Sequence, residues 1–312
     1  MLAVAFVAFS LFNYVGDPVN LMLGQDATPE QKKELRESLG LDQPDYVQFA
    51  VFVKNAVKGE FGLSLKQGRL VSTLIKERLP ATLELALVAG GLALLGGLLM
   101  GVYTALRRDS WLSQFLLTVS LIGVSLPNFL IGILLILIFA VTLQWLPSYG
   151  RGDATAIGWW TTGFLTTGGL RALVLPAVTL SLYPMTLIMR LVRSEMLEVL
   201  RTDYIKFARA RGLTNRAVHF GHALKNTLVP VMTITGLQLG SIIAFAIVTE
   251  TVFQWPGMGF LFIQSVQFAD IPVMAAYLVL ISFVFVSINL IVDLLYYVVD
   301  PRLRFERAAG AH

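Results

Sequence analysis

Residues 82–106 read TLELALVAGGLALLGGLLMGVYTAL and contain one charged side chain, that of Glu84. An α-helix needs about 20 predominantly apolar residues to cross the hydrocarbon core of a bilayer. Lipid offers no hydrogen-bond partners to the backbone, so a run of this length is predicted to be a helix rather than an open strand. We therefore predict a transmembrane helix over 82–106.

The composition of the whole chain agrees with this local signal. Of its 312 residues, 56% are hydrophobic and 14% are charged, whereas a soluble domain usually has about a quarter charged residues. The mean hydropathy is +0.71. The chain has no cysteine, which excludes disulfides, thiolate nucleophiles and cysteine metal sites. These values predict an all-α integral membrane protein.

Apolar runs of similar length recur on both sides of the first one. Six runs in all lie at 1–15, 82–106, 114–142, 172–193, 229–252 and 274–299. We predict six transmembrane helices, with a loop domain at 16–81, a membrane core at 82–299 and a tail at 300–312. The run at 1–15 is short for a crossing, and we expect it to be part of a longer first helix.

The distribution of Lys and Arg predicts the orientation. The loops at 107–113 and 194–228 and the tail are rich in them, whereas the loops at 144–171 and 253–273 contain only Arg151 and Arg171. Short cytoplasmic loops carry the excess of positive charge. We therefore expect a multi-pass membrane protein with both termini in the cytoplasm.

The long loop at 16–81 is predicted to be a small extracytoplasmic domain, because loops of this length cross the membrane largely regardless of charge. Within it, Thr28-Pro29-Glu30-Gln31 has the pattern of an N-cap, a first-turn proline and a capping-box glutamine. The helix that starts there is expected to run to Leu39, with Gly40 ending it.

Two further patterns concern the bilayer interior. Gly97-x-x-x-Gly101 and Gly236-x-x-x-Gly240 predict close approach of helix backbones. Few charged residues lie at depth in the apolar runs, and Glu84, Arg190, Glu250 and Asp293 all lie near predicted span ends. A secondary carrier more often has a charge at mid-depth, so this pattern argues against that class.

The 194–228 loop has the strongest pattern outside the spans. It predicts a short helix from Asp203, a left-handed glycine cap at Gly212 and a second helix with Thr214 as N-cap. Such a rigid helix–turn–helix suits docking into a groove on a soluble partner. Its positive charge also fits a plain topological anchor. His219 and His222 lie three residues apart but lack further ligands, so no metal site is predicted.

The loop resembles the EAA loop of ATP-binding-cassette (ABC) importer permeases, in the form found in the dipeptide/oligopeptide permease family. The matching residues are Asp203, Tyr204, Ile205, Lys206, Ala208, Arg209, Ala210, Arg211 and Gly212, then His222, Ala223, Leu224, Lys225, Asn226 and Pro230. Lys206 and Phe207 replace the Glu and first Ala of the broader importer pattern, and Lys225 replaces a proline. These departures favour the peptide branch.

Shorter stretches similar to the same family extend the resemblance over nearly the whole chain. They are Gly16-Asp17-Pro18, Gly59-Glu60-Phe61-Gly62-Leu63-Ser64, Pro80-Ala81-Thr82-Leu83-Glu84, Trp255-Pro256-Gly257-Met258-Gly259 and Asp300-Pro301-Arg302.

This resemblance implies a complex in a bacterial or archaeal inner membrane. The complex would contain two homologous permeases, two ATPase subunits and an extracytoplasmic solute-binding protein, with no nucleic-acid partner. The chain has no G-x-x-x-x-G-K-[ST] motif, so ATP with Mg²⁺ would be bound by the ATPases and not by this non-catalytic subunit. The first loop and Trp255-Pro256 are expected to meet the binding protein. The residues implied in ATPase coupling are Asp203, Tyr204, Ala208, Arg209, Ala210, Arg211, Gly212, His222 and Asn226.

The solute stays open at the level of sequence. A peptide is the leading interpretation, and glutathione, nickel complexes and oligosaccharides are carried by similar permeases. A secondary carrier or a membrane enzyme is the alternative class. A carrier would show mid-membrane charges, and an enzyme would show a nucleophile or a His/acid cluster near a span end.

Overall fold

The computed structural model describes residues 1–14, 19, 28–38 and 42–299, and most of these are helical. The helices are α1 Leu2–Tyr14, α2 Pro29–Ser38, α3 Asp45–Lys58, α4 Val71–Leu106, α5 Trp111–Ser125, α6 Asn128–Leu135, α7 Thr167–Val199, α8 Asp203–Ala210, α9 Leu224–Val252, α10 Met258–Gln267 and α11 Ile271–Val299. Two π-helical segments, Ile136–Thr142 and Ala217–Ala223, continue α6 and precede α9. A hairpin pairs β1 Thr155–Ile157 with β2 Trp160–Thr162.

Four of the described helices are long and apolar enough to span a membrane. These segments are Val71–Leu106, Thr167–Val199, Pro230–Val252 and Ile271–Leu294. A fifth span results if the bent pair α5 and α6 is counted as one, and α1 is shorter than a span. The prediction of an integral membrane protein built of helices is confirmed at this level.

The predicted span at 114–142 is not one helix. Trp111–Ser125 and Asn128–Thr142 meet at an angle of 114°. Leu126 and Pro127 between them have extended backbones, since a proline disfavours helical geometry in the residue before it and has no N–H to donate. The expectation of a continuous helix here was therefore wrong.

Helix α4 is longer than the sequence predicted. It begins at Val71 rather than at residue 82 and has 36 residues, a length of about 54 Å. Its first turns contain charged residues such as Lys76 and Glu77, which lowered the hydropathy of that stretch. Glu84 consequently lies well inside the helix instead of at its start.

Glycines set the closest helix contacts, as the sequence predicted. A Cβ added to Gly97 would lie 2.8 Å from the Cβ of Ile188, and one added to Gly101 would lie 2.6 Å from the Cβ of Val192. These contacts join α4 to α7 in parallel. Gly236 and Gly240 of α9 likewise lie directly against α11.

The main core lies where α4, α7 and α9 meet. It is built from small and branched side chains, with one large ring; its members include Ala81, Leu85, Ala89, Ala177, Leu180, Ile242, Ala246 and Trp255. Small residues allow three helix backbones to approach one another within lipid. A second cluster at the other end of α4 supports the 194–228 loop.

The helix predicted after residue 28 has the expected start. The Thr28 N–H donates to Gln31 Oε1 at 3.0 Å, and the Gln31 N–H donates to Thr28 Oγ1 at 3.3 Å, which is a capping box. Its predicted end at Leu39 and Gly40 lies outside the described residues. So do the sequence stretches Gly16-Asp17-Pro18 and Asp300-Pro301-Arg302, and the tail at 300–312.

Candidate functional site

The 194–228 loop folds as two short helical segments joined by a glycine turn. Helix α8 ends where Gly212 adopts a φ of +80°, and the Gly212 N–H donates to Arg209 O at 2.9 Å. The next segment is capped by Thr214, whose Oγ1 accepts from the Ala217 N–H at 3.3 Å. Both caps agree with the sequence prediction.

The two segments are held together by polar contacts among the predicted residues. Asn226 Nδ2 donates to Tyr204 Oη at 3.0 Å and to His222 O at 2.9 Å. Tyr204 lies near the start of the loop and Asn226 near its end, so this bond closes the loop on itself. The structure thus brings together three of the residues singled out by sequence.

Small buried side chains fasten the loop to the bundle. Ile205 and Ala208 are buried in one cluster with Val102 and Ala105 of α4 and with Val218 of the second segment. A residue larger than alanine at 208 would have to displace this packing. The loop is therefore a rigid extension of the helices and its position is fixed by them.

The outward side of the loop combines exposed rings with positive charge. Phe207 and Phe220 are 62% and 53% exposed, and the Arg211 guanidinium lies 5.1 Å from the centre of the Phe207 ring. Arg209 and Ala210 are also exposed. Large exposed apolar groups that are rimmed by polar ones mark interaction sites. In the sequence, Phe207 stands out only as a departure from the importer pattern, and no local pattern marks Phe220.

Two charged groups of the loop have local electrostatic partners. Asp203 accepts from Lys206 Nζ at 2.8 Å, and both side chains are largely exposed. Partial burial lowers the pKa of His219, and the nearby charge of Arg209 acts in the same direction. His219 is therefore held in its neutral form more strongly than a free histidine.

Nearer the start of α4, away from the loop, lies a buried polar group that sequence reasoning missed. Arg151 Nη2 donates to Glu84 Oε2 at 2.6 Å, with side chains only 7% and 2% exposed. The same guanidinium donates to Thr161 O at 2.6 Å and Thr161 Oγ1 at 2.9 Å. This ion pair fixes the β1–β2 hairpin to α4.

A second buried carboxylate, that of Glu250, lies close by. It accepts from Thr82 Oγ1 at 2.6 Å and from the Phe260 N–H at 2.9 Å. Thr82 Oγ1 in turn accepts from the Met258 N–H at 2.8 Å. The carboxylate therefore caps the N-terminus of α10, where a negative charge is favourable. We call Glu84, Arg151, Thr82 and Glu250 the Glu84 cluster.

Trp255 lies inside the protein next to this cluster. It is 1% exposed, and its Nε1 donates to Ala81 O at 2.9 Å. The expectation that Trp255 meets a partner protein is therefore wrong, because its ring is enclosed by α4, α7 and α9.

The stretch that begins at Gly59 meets the segment before α11. Ser64 Oγ donates to Asp270 Oδ2 at 2.5 Å, and the Leu65 N–H donates to Asp270 Oδ1 at 3.1 Å. Three family-like stretches separated in sequence, those containing Ser64, Glu84 and Trp255, are thus tied to the same end of the bundle. These contacts could not be predicted from the sequence, because the residues that they join are far apart in the chain.

Comparison with known proteins agrees with this architecture. The family described as binding-protein-dependent transport system inner membrane component matches residues 97–305. The family of the N-terminal part of such membrane components matches residues 1–86. The chain belongs to this family.

Relatives cover the permease almost from end to end. It is 36% identical to the dipeptide transport system permease protein DppB of Alkalihalophilus pseudofirmus, over 98% of this chain and 96% of that one. It is 40% identical to the di/tripeptide transport system permease protein DppB of Pseudomonas aeruginosa, over 97% and 95% of the two chains. The resemblance to dipeptide/oligopeptide permeases is confirmed.

A solved structure shares the fold of the permease. A chain from the inward-facing MetNI methionine ABC transporter superposes with a TM-score of 0.57 at 20% identity, covering 73% of this chain and 96% of that one. This likeness concerns the fold alone. Together with the apolar helices, it identifies the permease as a multi-pass membrane protein with an ABC-importer fold.

Proposed function

We propose that this permease is the membrane-spanning, non-catalytic subunit of an ABC importer that carries peptides. Relatives named for dipeptide and di/tripeptide transport, 36% and 40% identical over nearly the whole chain, support the peptide as solute. The family description supports delivery by a binding protein. ATP with Mg²⁺ is bound by the partner ATPases.

The main support for a role of the 194–228 loop in coupling the ATPase to the spans is that the loop is rigid and exposes aromatic rings. Asn226 and Tyr204 close it, buried Ala208 fastens it to α4, and Phe207 and Phe220 remain available. A stiff helical element with apolar anchors suits a groove on another protein. Movement of the bound ATPase then reaches the spans without being absorbed by a flexible linker.

In this proposal the nine sequence-predicted residues have three tasks. Tyr204, Gly212, His222 and Asn226 shape the loop, Ala208 seats it, and Asp203, Arg209, Ala210 and Arg211 face the ATPase groove. The importer contains a second homologous permease, two ATPases and an extracytoplasmic binding protein. This chain contributes six spans, with both termini in the cytoplasm and residues 16–81 outside.

Purification of the native complex tests this proposal first. The permease is tagged at its C-terminus, extracted gently from native membranes, and its companions are identified by mass spectrometry. We expect a second permease, one or two P-loop ATPases and a binding protein. In proteoliposomes the complex should import a dipeptide only when ATP is present. Recovery of the chain alone, active in flux without ATP, would overturn the proposal in favour of a secondary carrier.

Exposed aromatic residues provide a matched test of the docking surface. Phe207→Ala and Phe220→Ala remove rings on the loop, whereas Trp111→Ala removes a ring on α5 that is even more exposed. We expect the two loop variants to lose bound ATPase on gel filtration and the Trp111 variant to retain it. Equal retention in all three variants would show that the loop rings do not dock.

A further inference from the structure

Helices α4 and α7 pack along a line of contacts, here called the seam. Its position determines which residues of each helix point away from the other helix. Gly97 and Gly101 of α4 touch Ile188 and Val192 of α7. Each helical residue turns the chain by about 100°, so positions two residues away lie about 200° around the axis. The residues at 95 and 99 on α4, and at 190 and 194 on α7, therefore point away from the seam in opposite directions at the same depth.

These two faces differ in chemistry. On α4 the outward residues are Leu95 and Leu99, and both are exposed. On α7 the outward residues form what we call the α7 polar stripe, which consists of Tyr183, Arg190, Ser194 and Glu198. All four are exposed, and spacings of seven, four and four residues place them on one side of the helix. The leucine face suits lipid, and the polar stripe does not.

Arg190 is the decisive member of the stripe. Within residues 1–14, 28–38 and 42–299, it forms no ion pair with a carboxylate. Charged side chains on membrane-spanning helices generally face protein or a water-filled cavity. Arg190 is nevertheless exposed. Helix α4 packs on the opposite face, and the contact of α5 on the same side lies one turn earlier, where Gly123 touches Thr186. An open face with a free cation is suited to water and to a passing anionic group.

We propose that the α7 polar stripe lines the inner end of the solute pathway, and that Arg190 binds the C-terminal carboxylate of the peptide. This inference rests on the proposed function and names residues for it. A guanidinium matches a carboxylate in a paired arrangement of two N–H donors. The stripe also overlaps the 194–228 loop, because Ser194 and Glu198 belong to both, and α8 follows from Asp203 after α7 ends at Val199. Movement of the loop therefore reorients the carboxylate-binding residue.

Labelling of single cysteines tests whether the stripe lies in water. The chain has no cysteine, so Ser194→Cys and the matched control Leu99→Cys each introduce the only thiol of this subunit. Both are prepared in the complete importer in inside-out vesicles and treated with a charged, membrane-impermeant methanethiosulfonate. A thiol in apolar surroundings with its pKa raised by one unit has about tenfold less reactive thiolate. We expect Ser194→Cys to react at least about tenfold faster than Leu99→Cys.

The transported dipeptide distinguishes a pathway from any other wet surface. We expect saturating dipeptide with its binding protein and ATP to change the labelling rate of Ser194→Cys and to leave that of Leu99→Cys unchanged. Equal rates for the two cysteines would overturn the inference. So would a rate at Ser194→Cys that responds to the ATPase subunits but never to the peptide, because the stripe would then belong to the ATPase interface.

A pair of solutes tests the role of Arg190. Uptake of a dipeptide and of its C-terminal amide is compared in wild type, Arg190→Gln, Arg190→Lys and the control Arg171→Gln. Arg171 lies at the other end of α7, where it donates to Trp145 O at 2.5 Å. Loss of one charge-assisted contact should lower dipeptide uptake by Arg190→Gln about tenfold. Uptake of the amide should be unchanged. Arg190→Lys keeps the charge but not the paired donors, so its uptake of the free peptide should lie between those of wild type and Arg190→Gln.

The binding protein is the same for all variants. Its own preference for one solute therefore cancels when the ratio of dipeptide to amide uptake is compared between a variant and wild type. Equal losses of both solutes in Arg190→Gln would overturn the carboxylate contact. Failure of the wild-type complex to import the dipeptide would instead refute the proposed function. An active wild type with an unreactive Ser194→Cys would refute only the present inference.

Discussion

The Glu84 cluster lies at the first half of α4 and the 194–228 loop meets its last turns, and the two regions use the same ion-pair chemistry in different surroundings. Arg151 and Glu84 are 2.6 Å apart and almost fully enclosed. Lys206 and Asp203 are 2.8 Å apart, with side chains 67% and 96% exposed. The two distances are nearly equal, so the pairs differ mainly in their exposure to solvent. A buried charge that loses its partner stays unpaired, whereas an exposed one is solvated by water.

This difference separates a part that holds the fold from a part that meets a partner. In the Glu84 cluster the charges join α4, the hairpin and the start of α10. In the loop, shape comes from Ala208, Gly212 and the Tyr204–Asn226 bond, and most charges remain available. We therefore expect substitutions in the cluster to act on stability, and substitutions in the loop to act on transport.

The largest effect is expected from Arg151→Ala. It leaves the Glu84 carboxylate buried without its cation, which should lower the free energy of unfolding by about 3–5 kcal/mol. The measurement is thermal or denaturant unfolding of the detergent-solubilised protein. The double variant Glu84→Gln/Arg151→Gln removes both charges and keeps polar groups, so it should recover part of the loss. A double variant as unstable as Arg151→Ala would contradict the importance of the unpaired charge.

A smaller loss of stability is expected from Gly212→Val. The position has a φ of +80° and open space around its Cβ direction, so only backbone strain opposes the substitution, about 1–2 kcal/mol. The distorted turn should abolish solute-stimulated ATP hydrolysis in the assembled importer. Gly221→Ala is the matched control, because Gly221 also faces open space but has no positive φ. Normal stimulation in Gly212→Val would exclude the coupling role of the turn.

Lys206→Ala sharpens the comparison directly. It breaks an ion pair nearly as short as that of Arg151, yet we expect a loss of at most about 1 kcal/mol because both side chains lie in water. Unfolding is measured as for Arg151→Ala, at low and at high salt. A loss as large as that of the buried pair would mean that burial does not explain the difference between the two ends.

The smallest effect concerns pH. Burial lowers the pKa of His219 in the folded loop, whereas an unfolded histidine titrates near about 6.5. Between these two values the unfolded chain binds more protons, so stability is complete above about pH 6.5 and declines as the pH falls below it. Unfolding at pH 7.5 and pH 5.5, two conditions chosen around about 6.5, should show a larger decline in wild type than in His219→Gln. An identical decline would assign it to other groups.

Sequence was informative where structure is local. The capping box at Thr28, the left-handed turn at Gly212 and the cap at Thr214 each depend on a few neighbouring residues, and all three were predicted. The glycine pairs were predicted because small residues spaced by four recur at helix contacts. Apolar run length likewise predicted membrane helices.

The features that sequence could not predict depend on distant residues. Glu84 and Arg151 are 67 positions apart, and nothing near either one indicates the other. In the sequence, Trp255 resembles an exposed aromatic residue at the membrane interface, but in the structure α4 and α9 enclose it. The start of α4 was missed because polar residues in an otherwise helical stretch lowered its hydropathy. Pro127 did signal a break, but the apolar residues around it favoured one continuous span.

The length of α4 has a mechanical consequence. The helix is pinned near Glu84 by a buried ion pair and touches the loop at Ala105, about 32 Å farther along its axis. The part of α4 between Glu84 and Ala105 acts as a lever arm that pivots near Glu84. A tilt of about 10° moves the far end by about 6 Å, close to the pitch of one helical turn. A small tilt of α4 would therefore displace the loop by about the length of a side chain.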